Sequence, residues 1–341
     1  MGLRVAINGY GRIGRCVLRA LYESGHRETM QVVAINEPAH LETVLHLTRY
    51  DSTHGRFPGT VSLDRGQLRV NDDTIAVSCE TDLSQLNWRQ QHVDLVLECS
   101  GTLTKRCEAE VHCRAGARRV MFSCPADREV DATIVYGLNH HTLTEDARII
   151  SSASCTTNCI THVIKVLDEE IGILSGVITT IHSMMNDQPV IDGYHHPDLR
   201  RSRSAGASII PVTTALAKGI DRLLPSVAGR FRAVAVRVPT PNVSLMQLTA
   251  RVKRKTDACQ VNAALKAAAE SHLSGIMGFT MEPLVSGDYN HDARSTVVDG
   301  IQTAVAEGNL VTVMAWFDNE WGYANRMLDT AAYWSLLSSG S

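Results

Sequence analysis

The chain has 341 residues, 44% hydrophobic and 20% charged, which is ample for a buried core and more than one ordinary domain usually holds, so two domains are expected. A formal charge of -3 supplies no broad basic field. Nucleic acid and anionic membranes are therefore not expected partners, and an anionic substrate must be met by local groups. Nine cysteines and an opening Met1-Gly2-Leu3-Arg4-Val5 without a signal pattern point to reduced thiols and a cytoplasmic protein, and no apolar run reaches the roughly 18 to 20 residues a bilayer crossing needs.

Taken in chain order, Leu3 to Asn8, Gln31 to Asn36, Val93 to Cys99, Arg119 to Phe122, Thr133 to Tyr136 and Arg148 to Ser151 read as strands. They are rich in Val and Ile and lack polar alternation, as suits a parallel sheet buried on both faces. Helical spacing marks Arg12 to Glu23, His40 to Arg49 and Thr104 to Ala115, the last followed by Gly116 in cap position. This alternation predicts a doubly wound α/β (Rossmann) nucleotide-binding domain. Beyond Cys159 the strands lengthen and become amphipathic: Val177 to His182, Phe231 to Pro239, Val243 to Lys253 and Leu310 to Phe317. They predict an α+β domain with an antiparallel sheet, with helices over Ser208 to Leu224 and over Thr256 to Ser271, the latter burying Val261, Leu265 and Ala268. The polar segment Asn186 to Ser204, carrying Arg200, Arg201 and Arg203, is too long for an idle connection and reads as a functional or interface loop.

Gly9-Tyr10-Gly11-Arg12-Ile13-Gly14 follows the first strand and opens a helix, the context a dinucleotide fingerprint requires. The first glycine makes the turn, the second admits the pyrophosphate and the third lets helix and strand pack closely, with phosphates at the helix N-terminus. Glu37 closes the second strand about twenty residues further on, where a carboxylate binds ribose hydroxyls and repels a 2'-phosphate. NAD is thus expected rather than NADP.

Ser154-Cys155-Thr156-Thr157-Asn158-Cys159 lies between a strand and the helical run Ile160 to Leu167. At a helix start the unpaired backbone amides favour thiolate over thiol, and a neighbouring imidazolium would lower the thiol pKa further. Local sequence leaves open whether Cys155 is a nucleophile or a small buried cysteine. His182, at the end of a strand, is a candidate base, though a lone histidine there can equally be structural. Cys155 and Cys159 share a helix face, but a third and fourth metal ligand are not evident, so no metal site is expected.

With these residues the chain resembles the glyceraldehyde-3-phosphate dehydrogenase family from the first strand to the C-terminal helix. The likeness rests on Gly9 to Arg15, Ser152 to Cys159, Arg237-Val238-Pro239-Thr240-Pro241-Asn242-Val243, and Trp316-Phe317-Asp318-Asn319-Glu320-Trp321-Gly322-Tyr323, in matching order. The resemblance implies an NAD-binding domain over 1–154 completed by a C-terminal helix over 319–341, and a catalytic domain over 155–318. It implies that Cys155 attacks an aldehyde to form a thioester with His182 as base. It also implies that Gly9, Gly11, Arg12, Ile13, Gly14, Glu37, Ser123 and Asn319 contact NAD, Asn319 through the nicotinamide carboxamide. Ser154, Thr156, Arg201, Thr214, Ala215 and Arg237 match its phosphate positions. Two departures stand out: Met185 where phosphorylating members commonly carry a phosphate-holding threonine, and Ala215 where they commonly carry glycine.

Tyr22 to Gly25, Val33 to Glu37, His182 to Gln188, Asn290 to Asp292 and Glu320 to Asp329 are similar to the erythrose-4-phosphate dehydrogenase branch of that family. In that branch water releases the thioester, giving 4-phosphoerythronate for pyridoxal phosphate synthesis; the alternative is the phosphorylating, glycolytic reaction. The family likeness further implies a homotetramer, with the arginine-bearing loop at a subunit interface.

Overall fold

A computed structural model describes residues 2–194 and 198–337, so residues 195–197 of the long polar loop and 338–341 of the expected C-terminal helix lie outside the described residues. Contacts divide the chain into two units, Met1–Ser154 with Ala324–Ser341, and Cys155–Tyr323.

The first unit contains β1 (Leu3–Asn8), α1 (Arg12–Glu23), β2 (Met30–Asn36), α2 (Leu41–Arg49), β3 (Val61–Asp64), β4 (Gln67–Val70), β5 (Asp73–Ser78), β6 (Leu95–Glu98), α3 (Arg106–Arg114), β7 (Arg119–Phe122), β8 (Ala132–Thr133) and β9 (Ile149–Ser151). These strands make one nine-stranded sheet in the order β8-β9-β7-β6-β1-β2-β5-β4-β3. Neighbours are parallel from β8 to β5, and β5-β4-β3 run antiparallel. The central strands are buried throughout their apolar runs, as at Val5, Ala6, Ile7, Val32, Ile35, Val96 and Leu97, because helices cover both faces of such a sheet. The direction of winding reverses at β1, which places β2 on one side and β6 on the other. In a doubly wound sheet that reversal opens a crevice beyond the carboxyl ends of the two strands flanking it, where nucleotides bind.

Two local expectations change. The strand expected over Thr133 to Tyr136 is confined to Ala132–Thr133, since the Val135 amide turns instead to the Asn139 side chain at 2.8 Å. The hairpin over 61–70 closes through Arg65 (φ 49°) and Gly66 (φ 79°), two left-handed residues that match the twist of flanking antiparallel strands.

The second unit runs α4 (Cys155–Ile171), β10 (Ile173–His182), β11 (Ile210–Val212), α5 (Leu216–Leu223), β12 (Phe231–Arg237), β13 (Ser244–Val252), α6 (Ala258–Glu270), β14 (Met277–Thr280), β15 (Thr296–Ala306) and β16 (Leu310–Phe317). Its seven strands are ordered β11-β12-β10-β13-β16-β15-β14. The sheet is mixed: β10 with β12 and β14 with β15 are parallel, and the other pairings are antiparallel. One core joins helices and sheet, with Ile160, Val163, Ile164 and Leu167 of α4 and Val261 and Leu265 of α6 set among Ile178, Met246 and Leu248. The α6 stripe is the expected one, and Asp257 caps the helix by accepting the Gln260 amide at 2.8 Å.

The single helix expected over Ser208 to Leu224 is instead β11 followed by α5. Pro211 cannot donate a helical hydrogen bond and drives Ile210 to an extended conformation, and Val212-Thr213-Thr214 continue in β-branched residues that favour strand. The C-terminal helix, α7 (Trp321–Leu336), starts two residues later than the sequence suggested, because Asp318 caps it by accepting the amides of Glu320 at 3.0 Å and Trp321 at 2.8 Å. The chain rejoins the first unit at Ala324. No helix among the described residues is long and apolar enough to cross a membrane.

The glycines of the first turn yield a contrast that can be measured. A methyl at Gly14 would lie 2.3 Å from the Gly9 carbonyl oxygen, whereas one at Gly11 would meet no heavy atom within 4 Å. Gly14→Ala is expected to cost roughly 1 to 3 kcal/mol through overpacking and Gly11→Ala to leave the melting temperature of the cofactor-free protein unchanged. Equal melting temperatures for the two variants in thermal denaturation would contradict the packing role of Gly14.

Candidate active site

In the first unit β1 delivers Gly9 in a left-handed conformation, φ 87°. A side chain there would come within 2.4 Å of the Ser100 amide nitrogen, so only glycine lets the β1 and β6 ends lie this close. The Tyr10 amide donates to Glu37 Oε2 at 2.6 Å, so the carboxylate that ends β2 braces the glycine turn. Arg12 is held by Asp51, one contact being Nη2 to Oδ1 at 3.1 Å. Burial raises the Asp51 carboxyl pKa, but the Arg12 guanidinium and the amides of His54 and Thr53 outweigh it and hold the group well below the usual carboxylate range. Ile13 lies in the first turn of α1. Ser123 follows β7 directly, its amide donating to the Glu98 carbonyl at 2.9 Å.

Beneath this turn lies a carboxylate that sequence reasoning missed. Glu98 is 1% exposed and accepts from Asn8 Nδ2 at 2.6 Å, His112 Nε2 at 2.9 Å, the Ser100 amide at 2.9 Å and the Ser100 hydroxyl. Trp88 Nε1 donates to His112 Nδ1 at 3.1 Å, which leaves the ring proton on Nε2, facing Glu98. A buried charge persists only when its lone pairs are filled, and here four donors fill them. The polar residue ending an otherwise apolar β6 was the available signal.

In the second unit Cys155 is the first residue of α4 and His182 the last of β10, and Cys155 Sγ stands 3.8 Å from His182 Nε2. His182 Nδ1 lies 2.8 Å from the Ser183 carbonyl. A carbonyl only accepts, so Nδ1 carries the proton and Nε2 presents its lone pair to the thiol. The chain reaches Cys155 through Ala153, a buried residue at φ 58°, the kind of backbone outlier that clusters at functional sites.

Burial works against the expected thiolate. Burial pushes the Cys155 thiol up to about 11, against the lowering influence of Arg237 and the amides of Thr156 and Cys155. Burial together with the Arg237 charge brings His182 down to about 4. Desolvation thus opposes the helix terminus and favours the neutral thiol and the neutral imidazole.

Around the pair, Arg237 ends β12 with its Nε buried and without a hydrogen-bond partner. Burial lowers its pKa, opposed by the charges of Asp187 and Cys155. Arg201 Nη1 donates to Asp187 Oδ2 at 2.7 Å. Asn319 Oδ1 accepts the hydroxyls of Ser183 at 2.9 Å and Ser244 at 2.8 Å, which orients the amide with its NH2 as the remaining donor. Ser154 precedes α4 and Thr156 lies in its first turn, both partly exposed, whereas Thr214 and Ala215 are exposed at the start of α5. Among the described residues no hydrogen bond or ion pair links Thr214 or Ala215 to Cys155, His182 or Arg237. Met185 is exposed; its amide donates to Gln188 Oε1 at 3.4 Å and its carbonyl accepts the Gln188 amide at 3.1 Å. Asp187, Ser183 and Ser244 were not singled out in the sequence. His182 to Gln188 entered only as a branch-like segment, and Asn186 to Ser204, which includes Asp187, as a functional or interface loop.

A neutral resting thiol has a consequence for reactivity, since only the thiolate is nucleophilic. With the thiol near 11, iodoacetamide alkylation of Cys155 should accelerate about tenfold per pH unit from pH 7 to 10. A rate already level by pH 7, followed by mass spectrometry of the Cys155 peptide, would show a preformed thiolate instead.

Comparison with known families assigns both units. Residues 3–106 match the model of the glyceraldehyde 3-phosphate dehydrogenase NAD binding domain, and residues 154–319 match that of the C-terminal domain of the same enzyme. The glycine turn fits that cofactor on its own geometry, with Gly9 and Gly14 closely confined and Gly11 open where a pyrophosphate must approach. With both of its domains present in order, the chain belongs to the glyceraldehyde 3-phosphate dehydrogenase family and is an NAD-dependent oxidoreductase acting on aldehydes.

Proposed function

We propose that the chain oxidises D-erythrose 4-phosphate to 4-phosphoerythronate through a Cys155 thioester that water releases. The observation that carries the chemistry is the Cys155 to His182 approach of 3.8 Å, with the imidazole tautomer fixed by the Ser183 carbonyl. The choice of substrate is supported by the branch-like segments, among them Val33 to Glu37 and His182 to Gln188, and by the departures at Met185 and Ala215.

Sulfur adds to the aldehyde carbon as the thiol proton passes to His182 Nε2, and the resulting oxyanion takes a proton to give a thiohemiacetal. The Cys155 backbone amide and the protonated imidazole are the oxyanion donors within this unit. His182 next removes the hydroxyl proton. NAD, when bound, accepts the hydride that leaves the same carbon. A thioester remains on Cys155. His182 releases the hydroxyl proton to solvent, then takes a proton from the attacking water as the water oxygen bonds to the acyl carbon, the carbon-sulfur bond breaks, and the thiolate recovers the proton from the imidazolium. Arg237, half-buried with an unused Nε, is the residue to meet the substrate phosphate, assisted by Arg201, Ser154 and Thr156. Thr214 and Ala215 complete the family's phosphate positions. Asn319 offers its NH2 to the nicotinamide carboxamide, and Glu37 meets the adenosine ribose hydroxyls.

The second reading, phosphorylating oxidation of glyceraldehyde 3-phosphate, is favoured by the retained Ser154, Thr156, Thr214 and Arg237. Initial rates of NADH formation on both aldehydes, with and without inorganic phosphate, separate the two. Faster turnover of erythrose 4-phosphate without a phosphate requirement is expected; a strict requirement for phosphate would favour the glycolytic reaction. Cys155→Ala should abolish turnover in either case, and oxidation preserved in that variant would refute the covalent scheme.

We also propose a homotetramer. Val177 and Val234, on adjacent strands of the second unit's sheet, are 49% and 52% exposed, and Val190, Ile191, Leu199 and Ile209 project from the 186–209 region. Apolar surface of this kind marks a protein contact. Light scattering should report about four times the chain mass; a monomer would exclude the assembly.

A further inference from the structure

We propose that Glu98 sets which redox form of the cofactor this protein holds: its buried negative charge belongs to the nicotinamide half of the crevice and favours NAD, whose pyridinium ring is cationic, over NADH, whose ring is neutral. The inference concerns the NAD-binding unit alone and is independent of which aldehyde is oxidised.

The charge follows from the hydrogen bonds. An indole nitrogen only donates, and Trp88 Nε1 meets His112 Nδ1 at 3.1 Å, so the imidazole is neutral with its proton on Nε2. That nitrogen lies 2.9 Å from Glu98 Oε2. Asn8 Nδ2 donates to the same oxygen at 2.6 Å. Its orientation is fixed, because the Glu80 amide donates to Asn36 Oδ1, which leaves Asn36 Nδ2 to donate to Asn8 Oδ1 at 2.9 Å. Glu98 Oε1 accepts the Ser100 amide at 2.9 Å and the Ser100 hydroxyl. Every contact of the carboxyl group is thus a donor, and a carboxyl proton would have no acceptor, so Glu98 is a carboxylate. Among the described residues no lysine or arginine pairs with it, and its ion-pair partner, His112, is uncharged in this tautomer. Neutral donors solvate the charge without cancelling it, and in a buried setting its influence reaches neighbouring groups. Burial first and the Glu98 charge second push the thiol of Cys124, two residues beyond β7, up to about 11, and both raise that of Cys99.

The fold assigns this charge to one half of the crevice. A dinucleotide lies across a doubly wound sheet with one nucleotide on each side of the strand reversal, which here falls at β1, between β2 and β6. An acidic residue at the end of the second strand takes the adenosine ribose, so Glu37 allots the adenosine half to the β2 side. The nicotinamide half then falls to β6 and β7, and Glu98 is the last residue of β6. Gly9, in the turn between the halves, packs so close to Ser100 that a side chain there would come within 2.4 Å of the amide nitrogen Glu98 holds. Repulsion between Glu98 and the pyrophosphate is the same in NAD and NADH and cancels between them. The ring charge does not cancel. Hydride transfer removes it, so the attraction that holds the reactant cofactor is absent for the product, and NADH is loosened.

The test measures Kd for NAD and for NADH by isothermal titration calorimetry, without aldehyde, on wild type, Glu98→Gln and Glu98→Asp. Glu98→Gln keeps the size of the side chain and loses the charge; the ratio of the NADH Kd to the NAD Kd should fall about tenfold, the scale of two unit charges interacting through partly desolvated protein. Glu98→Asp keeps the charge and withdraws it from its donors; both affinities should weaken while the ratio stays at the wild-type value. Melting curves establish which variants are folded. If Glu98→Gln weakens NAD and NADH in parallel and the ratio is unchanged, Glu98 only braces the turn and the proposal is overturned, with NAD binding itself untouched. If Glu98→Gln does not fold, Glu98→Asp decides: a retained ratio with weaker binding of both forms supports the charge, and an altered ratio overturns it.

Discussion

Withdrawing a thiol and an imidazole from water to within 3.8 Å of each other imposes conditions on everything near them in the second unit. Each group disfavours its charged form in such a setting, so the fold must fix the neutral tautomer that reacts. The Ser183 carbonyl does this by holding the proton on Nδ1. Ser183 cannot move freely in turn, because its hydroxyl donates to Asn319 and its amide donates to Ser244 Oγ at 3.1 Å. Asp318, the neighbour of Asn319, caps α7 and also accepts Asn242 Nδ2 at 2.8 Å. The orientation of one imidazole is thereby tied to the ends of β10, β13 and β16 and to the start of a helix. Sites built on such elements hold their geometry better than sites on loops.

The first unit solves a related problem with a charge. Bringing the ends of β1 and β6 together requires glycine at position 9 and leaves amides and a strand-end carboxylate out of contact with water. Glu98 is tolerable there because Asn8, Ser100 and His112 all donate to it, and Asn8 is itself held by Asn36 at 2.9 Å. Removing one donor would leave a buried carboxylate short of a partner, which costs far more than the net contribution of an ordinary hydrogen bond. The polar chain from Trp88 through His112 and Glu98 to Asn36 therefore links strand ends that the hydrophobic core alone would not hold in register.

The sequence made some of this legible and hid the rest for physical reasons. Strands such as β1, β2 and β7 and the stripe of α6 are written locally, as unbroken apolar runs or 3.6-residue spacing, and they form where expected. The β3 to β5 segment was overlooked although Arg65-Gly66 sits between two short alternating runs, because strands of four residues carry little periodicity. The helix expected from Ser208 failed on Pro211, a rule visible in the sequence and outweighed by the apolar residues around it. Cys155 could be placed at a helix start, but its protonation state could not: that depends on desolvation by residues distant in sequence, and the helix-terminus effect proved the smaller influence. The contact between Asp187 and Arg201 was invisible for the same reason, since it forms only when Arg201, fourteen residues away, folds back to meet Asp187.

Four groups in the second unit are thus held with fewer favourable interactions than water would give them. The Cys155 thiol is raised, His182 and Arg237 are lowered, and Asp187 leaves one oxygen unpaired. Each is a cost to the folded chain without ligand, and the costs point in one direction. Arg237 regains favourable interaction when an anion arrives, and the imidazole, once it has taken the thiol proton, is stabilised as a cation by the oxyanion formed at the substrate carbon. A site whose polar groups are aligned before substrate enters need not reorganise during the reaction.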